Sequence, residues 1–294
     1  METWVALAIG AAFLQNLRSA LQKALTPRVG VMGATYARFL FAAPWAVALV
    51  AVLAAREGSL PLPTASFATW ATVGALTQIS GTLLLLHLFS LRNFAVGSTF
   101  ARTETVQAAL FGFVLLGDRL GPLATAGVLV GLVGLVLLSA TRGLGGGALN
   151  RAAAIGLASG ASFALSAVGY RAASLSLDET QGFLLRPAFT LACVTVLQTV
   201  LMSLWFHLRA PGRVAAVVSA WRVAAPVGLS GMLASLGWFA AFTLATAAQV
   251  KAVGQVELLF SWLTARFAFG ETPTRRETAG IVLVAGGIVL VILG

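Results

Sequence analysis

The sequence predicts an all-α integral membrane protein in which ten transmembrane helices form two inverted five-helix repeats. Of its 294 residues, 59% are hydrophobic and only 10% are charged, whereas about a quarter of the residues in soluble domains are charged. The mean hydropathy of +0.94 is spread along the whole chain. Apolar stretches of about 20 residues, the length that crosses a bilayer core, recur from one end to the other.

These apolar stretches define the predicted elements in order. Five precede a glycine-rich segment and five follow it, which leaves almost no residues for a soluble domain. The first is expected to be a retained helix, because it lacks the basic start and cleavage pattern of a signal peptide. The ten predicted spans are 3–24, 31–55, 66–90, 94–116, 122–141, 152–174, 182–206, 223–246, 250–270 and 277–293.

The glycine-rich segment, 142–151, carries an arginine at each end. Its composition is typical of a flexible linker. It divides the chain into a first predicted five-helix repeat, 1–141, and a second, 152–294.

Internal similarity indicates that the two halves arose by duplication. Residues 89–139 align without gaps on residues 242–292, which places Glu104 on Glu257. Because each half has an odd number of spans, the second half must enter the membrane in the opposite orientation. Inverted repeats of this kind are common in secondary transporters, whose substrate sites lie near the midplane between the repeats.

The net charge of +10 does not indicate nucleic-acid binding. The basic residues are scattered between apolar stretches, where membrane proteins carry orienting charges, and do not form a phosphate-binding patch. Counted by the positive-inside rule, they place both termini outside. His87 and His207 lack neighbouring ligand residues, so neither a metal site nor another cofactor is expected. No glycine-rich phosphate loop for ATP is present in the sequence.

Two acidic residues are the leading candidates for chemistry. Glu104 and Glu257 lie near the middle of their predicted spans, where a charge is costly unless it is paired or faces water. Either carboxylate could hold a substrate ammonium group or exchange a coupling proton. The alternative is a structural ion pair with an arginine. Gln107 and Ser261 lie about one helical turn further along the same spans and are candidate neighbours.

Basic and amide residues complete the candidate site. Arg38 and Arg186 lie within the second and seventh predicted spans, and a guanidinium facing a cavity could bind a substrate carboxylate through two hydrogen bonds. A structural ion pair is an equally good interpretation. In the first span, Gln15, Arg18 and Gln22 have the spacing of one helix face and are expected to face the interior.

Each half ends in a helix closed by a glycine and an acidic residue, followed by a glycine-rich helix. The residues are Gly117-Asp118 with Gly127, Gly131 and Gly134, and Gly270-Glu271 with Gly280, Gly286 and Gly287. This pattern resembles the EamA-like ten-helix branch of the drug/metabolite transporter superfamily. The resemblance implies alternating access, termini in the cytoplasm, and a cavity lined by the third, fourth, eighth and ninth helices. Gln78 and Trp238 lie on two of these helices. The orientation of the termini stays open, because the charge count indicates the opposite.

The sequence thus predicts a secondary transporter and not an enzyme, most simply an exporter of amino acids or related compounds. Its expected partners are a small-molecule substrate, the lipid bilayer and, as a candidate coupling ion, a proton. A monomer or weak homodimer in the bacterial inner membrane is expected. A multidrug or other metabolite carrier of the same fold is the alternative, as is a membrane-embedded enzyme or sensor. Substrate, coupling ion and direction do not follow from the sequence.

Overall fold

A computed structural model describes residues 2–89, 101, 103–139, 149–179, 182–260 and 274–294. All regular secondary structure in these ranges is helical, including 256–260. The helices are α1 (Thr3–Glu57), α2 (Ala65–Phe89), α3 (Glu104–Leu116), α4 (Pro122–Ser139), α5 (Leu149–Leu175), α6 (Leu185–Arg209), α7 (Arg213–Ser219), α8 (Trp221–Leu244), α9 (Ala247–Gly254) and α10 (Arg275–Leu293).

Helix α1 is a hairpin of two helical segments. Gly30 has a φ of 74° and a ψ of 170°, a combination that is essentially restricted to glycine. A straight helix would separate Arg18 from Arg38 by about 30 Å. A Cβ atom added to Gly231 of α8, however, would lie 3.3 Å from both Arg18 Cδ and Arg38 Cγ. The chain therefore reverses direction near Gly30, and α1 accounts for the first two predicted spans.

Several boundaries differ from the prediction. Helix α5 begins at Leu149, inside the predicted linker, and the unpredicted α7 lies between α6 and α8. Helix α9 begins at Ala247, because Thr246 and Gln249 form a reciprocal capping box at its start, which satisfies two backbone groups that would otherwise be unpaired. A turn at Gln255 then interrupts the helix before it continues through 256–260.

Helices α4 and α10 pack against each other in an antiparallel pair through small residues. A Cβ atom added to Gly127 would lie 2.7 Å from the Gly287 carbonyl oxygen, and one added to Gly134 would lie 2.7 Å from that of Gly280. Glycine at these positions lets the two backbones approach closely, a common arrangement between helices in membranes.

The surface is apolar where that of a soluble protein would be polar. On α6, Val196, Val200 and Leu204 are 39%, 56% and 54% exposed, whereas Thr195 and Gln198 on the same helix are buried. An apolar exterior with polar groups inside suits a lipid environment, in which buried polar groups must find partners within the protein.

Within the described ranges, four helical segments are long and apolar enough to cross a membrane. They are Thr3–Gln22, Ala24–Glu57, Leu185–Arg209 and Trp221–Leu244. Three shorter apolar helices are Glu104–Leu116, Pro122–Leu137 and Thr278–Leu293. The chain is therefore an all-helical protein with several apolar helices, while the number of ten spans and their inverted arrangement remain predictions.

Helices from the two halves of the chain pack against each other throughout the bundle. The most extensive contacts join α1 to α8, α4 to α10, and α2 to α5, and α3 also packs on α5. Polar side chains that face the centre from the first half therefore meet polar side chains from the second half.

Candidate functional site

Five polar side chains from five helical segments meet inside the bundle. We call Gln15, Glu104, Trp238, Lys251 and Glu257 the carboxylate cluster; together with Thr105, Gly254 and Gln255 they line one cavity. Gln15 and Glu104 come from the first half of the chain, and the other three come from the second half. The cluster therefore lies at the interface between the halves.

Gln15 connects the two sides of the carboxylate cluster. Its amide nitrogen Nε2 donates a hydrogen bond to Glu257 Oε2 at 3.3 Å, and its Oε1 accepts one from the indole Nε1 of Trp238 at 3.1 Å. Since an amide offers donors on one atom and an acceptor on the other, these two bonds fix its orientation. Gln15 therefore couples α1 both to α8 and to the segment that carries Glu257.

Glu104 is paired with Lys251. The Lys251 Nζ lies 3.6 Å from Glu104 Oε2, and the two side chains are 20% and 23% exposed. The same ammonium group lies 5.6 Å from the centre of the Trp238 ring, within the range of a cation–π contact. Glu104 lies in the first turn of α3, where the helix dipole favours a negative charge. The ion-pair partner is thus a lysine and not one of the two arginines predicted from the sequence.

The floor of this cavity holds a second interhelical contact. Gln255 Nε2 donates to Thr105 Oγ1 at 3.0 Å, and both residues are buried. The contact joins the turn after α9 to the start of α3. It holds the two segments that carry Glu257 and Glu104 against each other.

Two arginines of the α1 hairpin flank Gly231, and we call Arg18 and Arg38 the arginine pair. Arg18 Nη2 donates to Ser19 Oγ at 3.3 Å, while its Nε is buried without a hydrogen bond. The Arg38 guanidinium carbon lies 5.3 Å from the centre of the Phe39 ring. Among the described residues, neither guanidinium has a carboxylate oxygen within 4.0 Å. The interior thus contains two cations without an ion-pair partner in that part of the chain.

Arg38 also lines a second cavity, beside a hydrogen-bonded group of Gln78, Tyr170 and Gln198 that we call the glutamine–tyrosine cluster. Gln78 Oε1 lies 2.8 Å from the Tyr170 hydroxyl and 2.7 Å from Gln198 Nε2. Gln198 is only 1% exposed. The cluster joins α2, α5 and α6 at the wall of the cavity.

Three other predicted site residues, Gln22, Gln107 and Arg186, line neither cavity. Gln107 Nε2 donates to Thr103 Oγ1 at 2.8 Å and more weakly to the Leu157 carbonyl at 3.4 Å. The backbone carbonyl of Gln22 accepts a hydrogen bond from the Thr26 hydroxyl. Arg186 is the second residue of α6, and its Nε and Nη1 are buried without a hydrogen bond. Ser261 lies outside the described residues.

A salt bridge that the sequence did not single out fastens the end of α5. Arg171 Nε and Nη2 donate to the two carboxylate oxygens of Asp118 at 3.0 and 3.1 Å. Its Nη1 donates to the carbonyls of Phe242 and Ala245 at 2.6 and 2.8 Å. Each charged side chain is 14% exposed. The acid of the Gly117-Asp118 motif therefore ties the turn after α3 to α5 and to the end of α8.

Sequence reasoning also missed Tyr170, Gln198 and Lys251. Gln198 lies inside a predicted span, as Gln78 does, so treating every amide within a span as a candidate would have found it. Tyr170 is one of only two tyrosines in the chain, which was an unused signal. Lys251 is the second residue of the predicted ninth span, 250–270, and was counted only as an orienting charge at the end of that span.

Helices with an apolar exterior and polar clusters at the interface of two halves define a multi-pass membrane protein. Residues 2–140 match the EamA-like transporter family. This match places the chain in the drug/metabolite transporter superfamily and confirms the resemblance inferred from the glycine and acid motifs. Members of the EamA-like family are transporters and not enzymes, so the protein is assigned to membrane transport of small molecules.

A solved crystal structure has the same fold. It shares 19% sequence identity with this chain, superposes with a TM-score of 0.73, and the match covers 99% of this chain and 96% of the other. At that identity the likeness concerns the fold alone. The comparison with curated proteins finds no match.

Proposed function

We propose that the protein is a secondary transporter that exports amino acids or related compounds across the bacterial inner membrane by alternating access. The observation that carries the proposal is the carboxylate cluster, in which side chains from both halves of the chain share one cavity. A site between two halves can open to either side of the membrane when one half rocks against the other.

The proposed mechanism needs two inverted five-helix repeats, and the packing of α4 against α10 supports them. In the sequence alignment of the halves, Gly127 corresponds to Gly280 and Gly134 to Gly287. The close approaches are Gly127 to Gly287 and Gly134 to Gly280, and in both an added Cβ atom would lie 2.7 Å from the opposite carbonyl oxygen. Exchanging the two helices converts one contact into the other, which is the property of an interface on a two-fold axis.

The geometry of the carboxylates suits a substrate ammonium group or a coupling proton. Glu257 accepts from Gln15 at 3.3 Å, and Glu104 lies 3.6 Å from Lys251. Both distances exceed the 2.7–2.9 Å of strong charge-assisted hydrogen bonds. A substrate ammonium that approached at about 2.8 Å would therefore form a stronger contact than the one it replaces.

Flux through proteoliposomes tests this proposal. We expect that labelled amino acids exchange across the membrane with wild-type protein, and that Glu104→Gln and Glu257→Gln each lower the rate at least tenfold. Glu57→Gln is the matched control, because the Glu57 carboxylate lies at the exposed end of α1, away from both cavities, where it accepts a hydrogen bond from the Gly182 backbone. Full rates in both variants would exclude the carboxylates from transport. No exchange of any amino acid would exclude this substrate class.

A further inference from the structure

The arginine pair has the properties of a site that lacks its counter-ion. Each guanidinium carries five N–H donors, but the side-chain hydrogen bonds formed by the pair within the described residues amount to one 3.3 Å contact from Arg18 to Ser19. The stems of Arg18 and Arg38 lie against the same residue, Gly231, so the two positive charges are close enough to repel each other. Buried charges are costly unless they are paired.

Among the described residues, no carboxylate forms a salt bridge with either member of the pair. Glu104 is engaged by Lys251, and Glu257 accepts from Gln15. The cavity beside Arg38 has no acidic residue among its lining side chains.

The other residues that line that cavity indicate which kind of molecule it would accept. Thr195, Ser235 and Gln198 supply neutral hydrogen-bonding groups, while Leu191 and Met232 supply an apolar surface. Hydroxyl and amide donors beside a guanidinium suit an oxyanion, and the apolar surface suits a hydrocarbon group attached to it.

Gly231 is the structural element that brings the pair together. A Cβ atom at this position would lie 3.3 Å from Arg18 Cδ and 3.3 Å from Arg38 Cγ, and 3.7 Å from Arg18 Cγ. Contacts of 3.3 Å are tight, so an alanine here would displace both stems. The bare helix surface at Gly231 therefore leaves room for both arginine stems.

We propose that Arg18 and Arg38 together bind the oxyanion of the transported molecule, and that they select small organic anions with an apolar tail over their neutral analogues. The inference rests on the proposed transport function and specifies its substrate class. A carboxylate or a phosphate group would meet the same donors, and comparing the binding of a carboxylate with that of inorganic phosphate distinguishes the two.

Binding to the purified full-length protein in detergent, measured by calorimetry, tests the selectivity without requiring transport. The probes are 4-methylpentanoate, its neutral amide, L-leucine and inorganic phosphate. We expect the carboxylates to bind at least tenfold more tightly than the amide, since hydrogen bonds to a charged group are among the stronger ones in proteins. Preferential binding of phosphate would assign the site to phosphorylated compounds and still support the oxyanion proposal.

Variants show whether the arginine pair causes the selectivity. Arg18→Gln and Arg38→Gln should each remove the preference for 4-methylpentanoate over its amide, while Arg38→Lys should retain part of it. Arg222→Gln is the matched control, because Arg222 has a similar cation–π contact with Trp221 but is exposed at the start of α8. Unchanged selectivity in both glutamine variants would overturn the proposal.

A second pair of variants keeps both arginines and so avoids a change of charge. Gly231→Ala should weaken anion binding by displacing the stems. Gly10→Ala on α1 should not, because an added Cβ there has no atom within 4 Å. Equal affinities in the two alanine variants would contradict the geometric argument. If none of the anions binds to wild-type protein, the oxyanion proposal fails, whereas the flux assay decides the proposed function independently.

Discussion

Removing either partner of the salt bridge between Asp118 and Arg171 should destabilise the protein, but by unequal amounts. In Asp118→Asn, Arg171 keeps its two hydrogen bonds to the Phe242 and Ala245 carbonyls. The expected loss is about 1–3 kcal/mol, the cost of weakening hydrogen bonds to one charged group. In Arg171→Met, a mostly buried carboxylate and two carbonyls lose their donor together. The expected loss is about 3–5 kcal/mol.

The free energies of unfolding of the two variants can be compared by reversible unfolding in mixed detergent micelles, with tryptophan fluorescence as the signal. Arg119→Met provides the control, because Arg119 is the adjacent exposed residue and its loss should change stability by less than about 0.5 kcal/mol. The double variant should cost less than the two single variants added together, since both remove the same interaction. Equal losses for Asp118→Asn and Arg171→Met, or the reverse order, would refute the assignment of the carbonyls as partners of Arg171.

Three further substitutions test the backbone and the buried amides by the same unfolding measurement. Gly127→Ala should lower stability by about 1–3 kcal/mol because the α4 and α10 backbones must separate. Gly286→Ala on α10 is the control and should be nearly neutral, because open space surrounds that position. Equal effects of the two substitutions would contradict the packing of α4 against α10. Gly30→Ala should cost about 1–3 kcal/mol through backbone strain, and a stabilised variant would argue against the hairpin. Gln198→Leu should cost about 1–3 kcal/mol, because the acceptor on Gln78 loses a buried donor; no loss would show that this bond contributes little.

The class of protein could be predicted from the sequence because it depends on composition and on the length of apolar stretches. Helices that cross a lipid bilayer must be long and apolar, however they pack against each other. The prediction of an all-helical protein with several apolar helices is confirmed. The reversal at Gly30 was predicted as a gap between two spans. Its geometry was not, because a glycine in a polar interval does not by itself specify φ and ψ.

The partners of the charged residues were harder to predict, because they depend on tertiary contacts between distant segments. A structural ion pair of Glu104 with an arginine was the alternative interpretation, and the partner in the structure is Lys251. A local signal could have placed Lys251 a full turn inside its helix: Thr246 and Gln249 have the spacing of a capping box, which would have started the helix at Ala247. No local signal indicated that Arg171 meets Asp118, since the two residues lie in different halves of the chain.

The position of each arginine of the pair could be predicted from the sequence, but their meeting could not. Arg18 was predicted to face the interior from the polar stripe on the first span, and Arg38 from its place in the second. Their meeting over Gly231 depends on the hairpin and on the packing of α1 against α8. Sequence patterns can give the face of a helix, but not which helix lies opposite.

We propose that the carboxylates at the interface of the two halves drive transport of a small molecule. The most direct measurement is efflux of labelled amino acids from proteoliposomes with and without an imposed pH gradient, comparing wild-type protein with the Glu104→Gln/Glu257→Gln double variant. We expect gradient-sensitive efflux in the wild type and its loss in the double variant, with both proteins inserted equally. Gradient-sensitive efflux that persists in the double variant would show that these carboxylates do not drive transport.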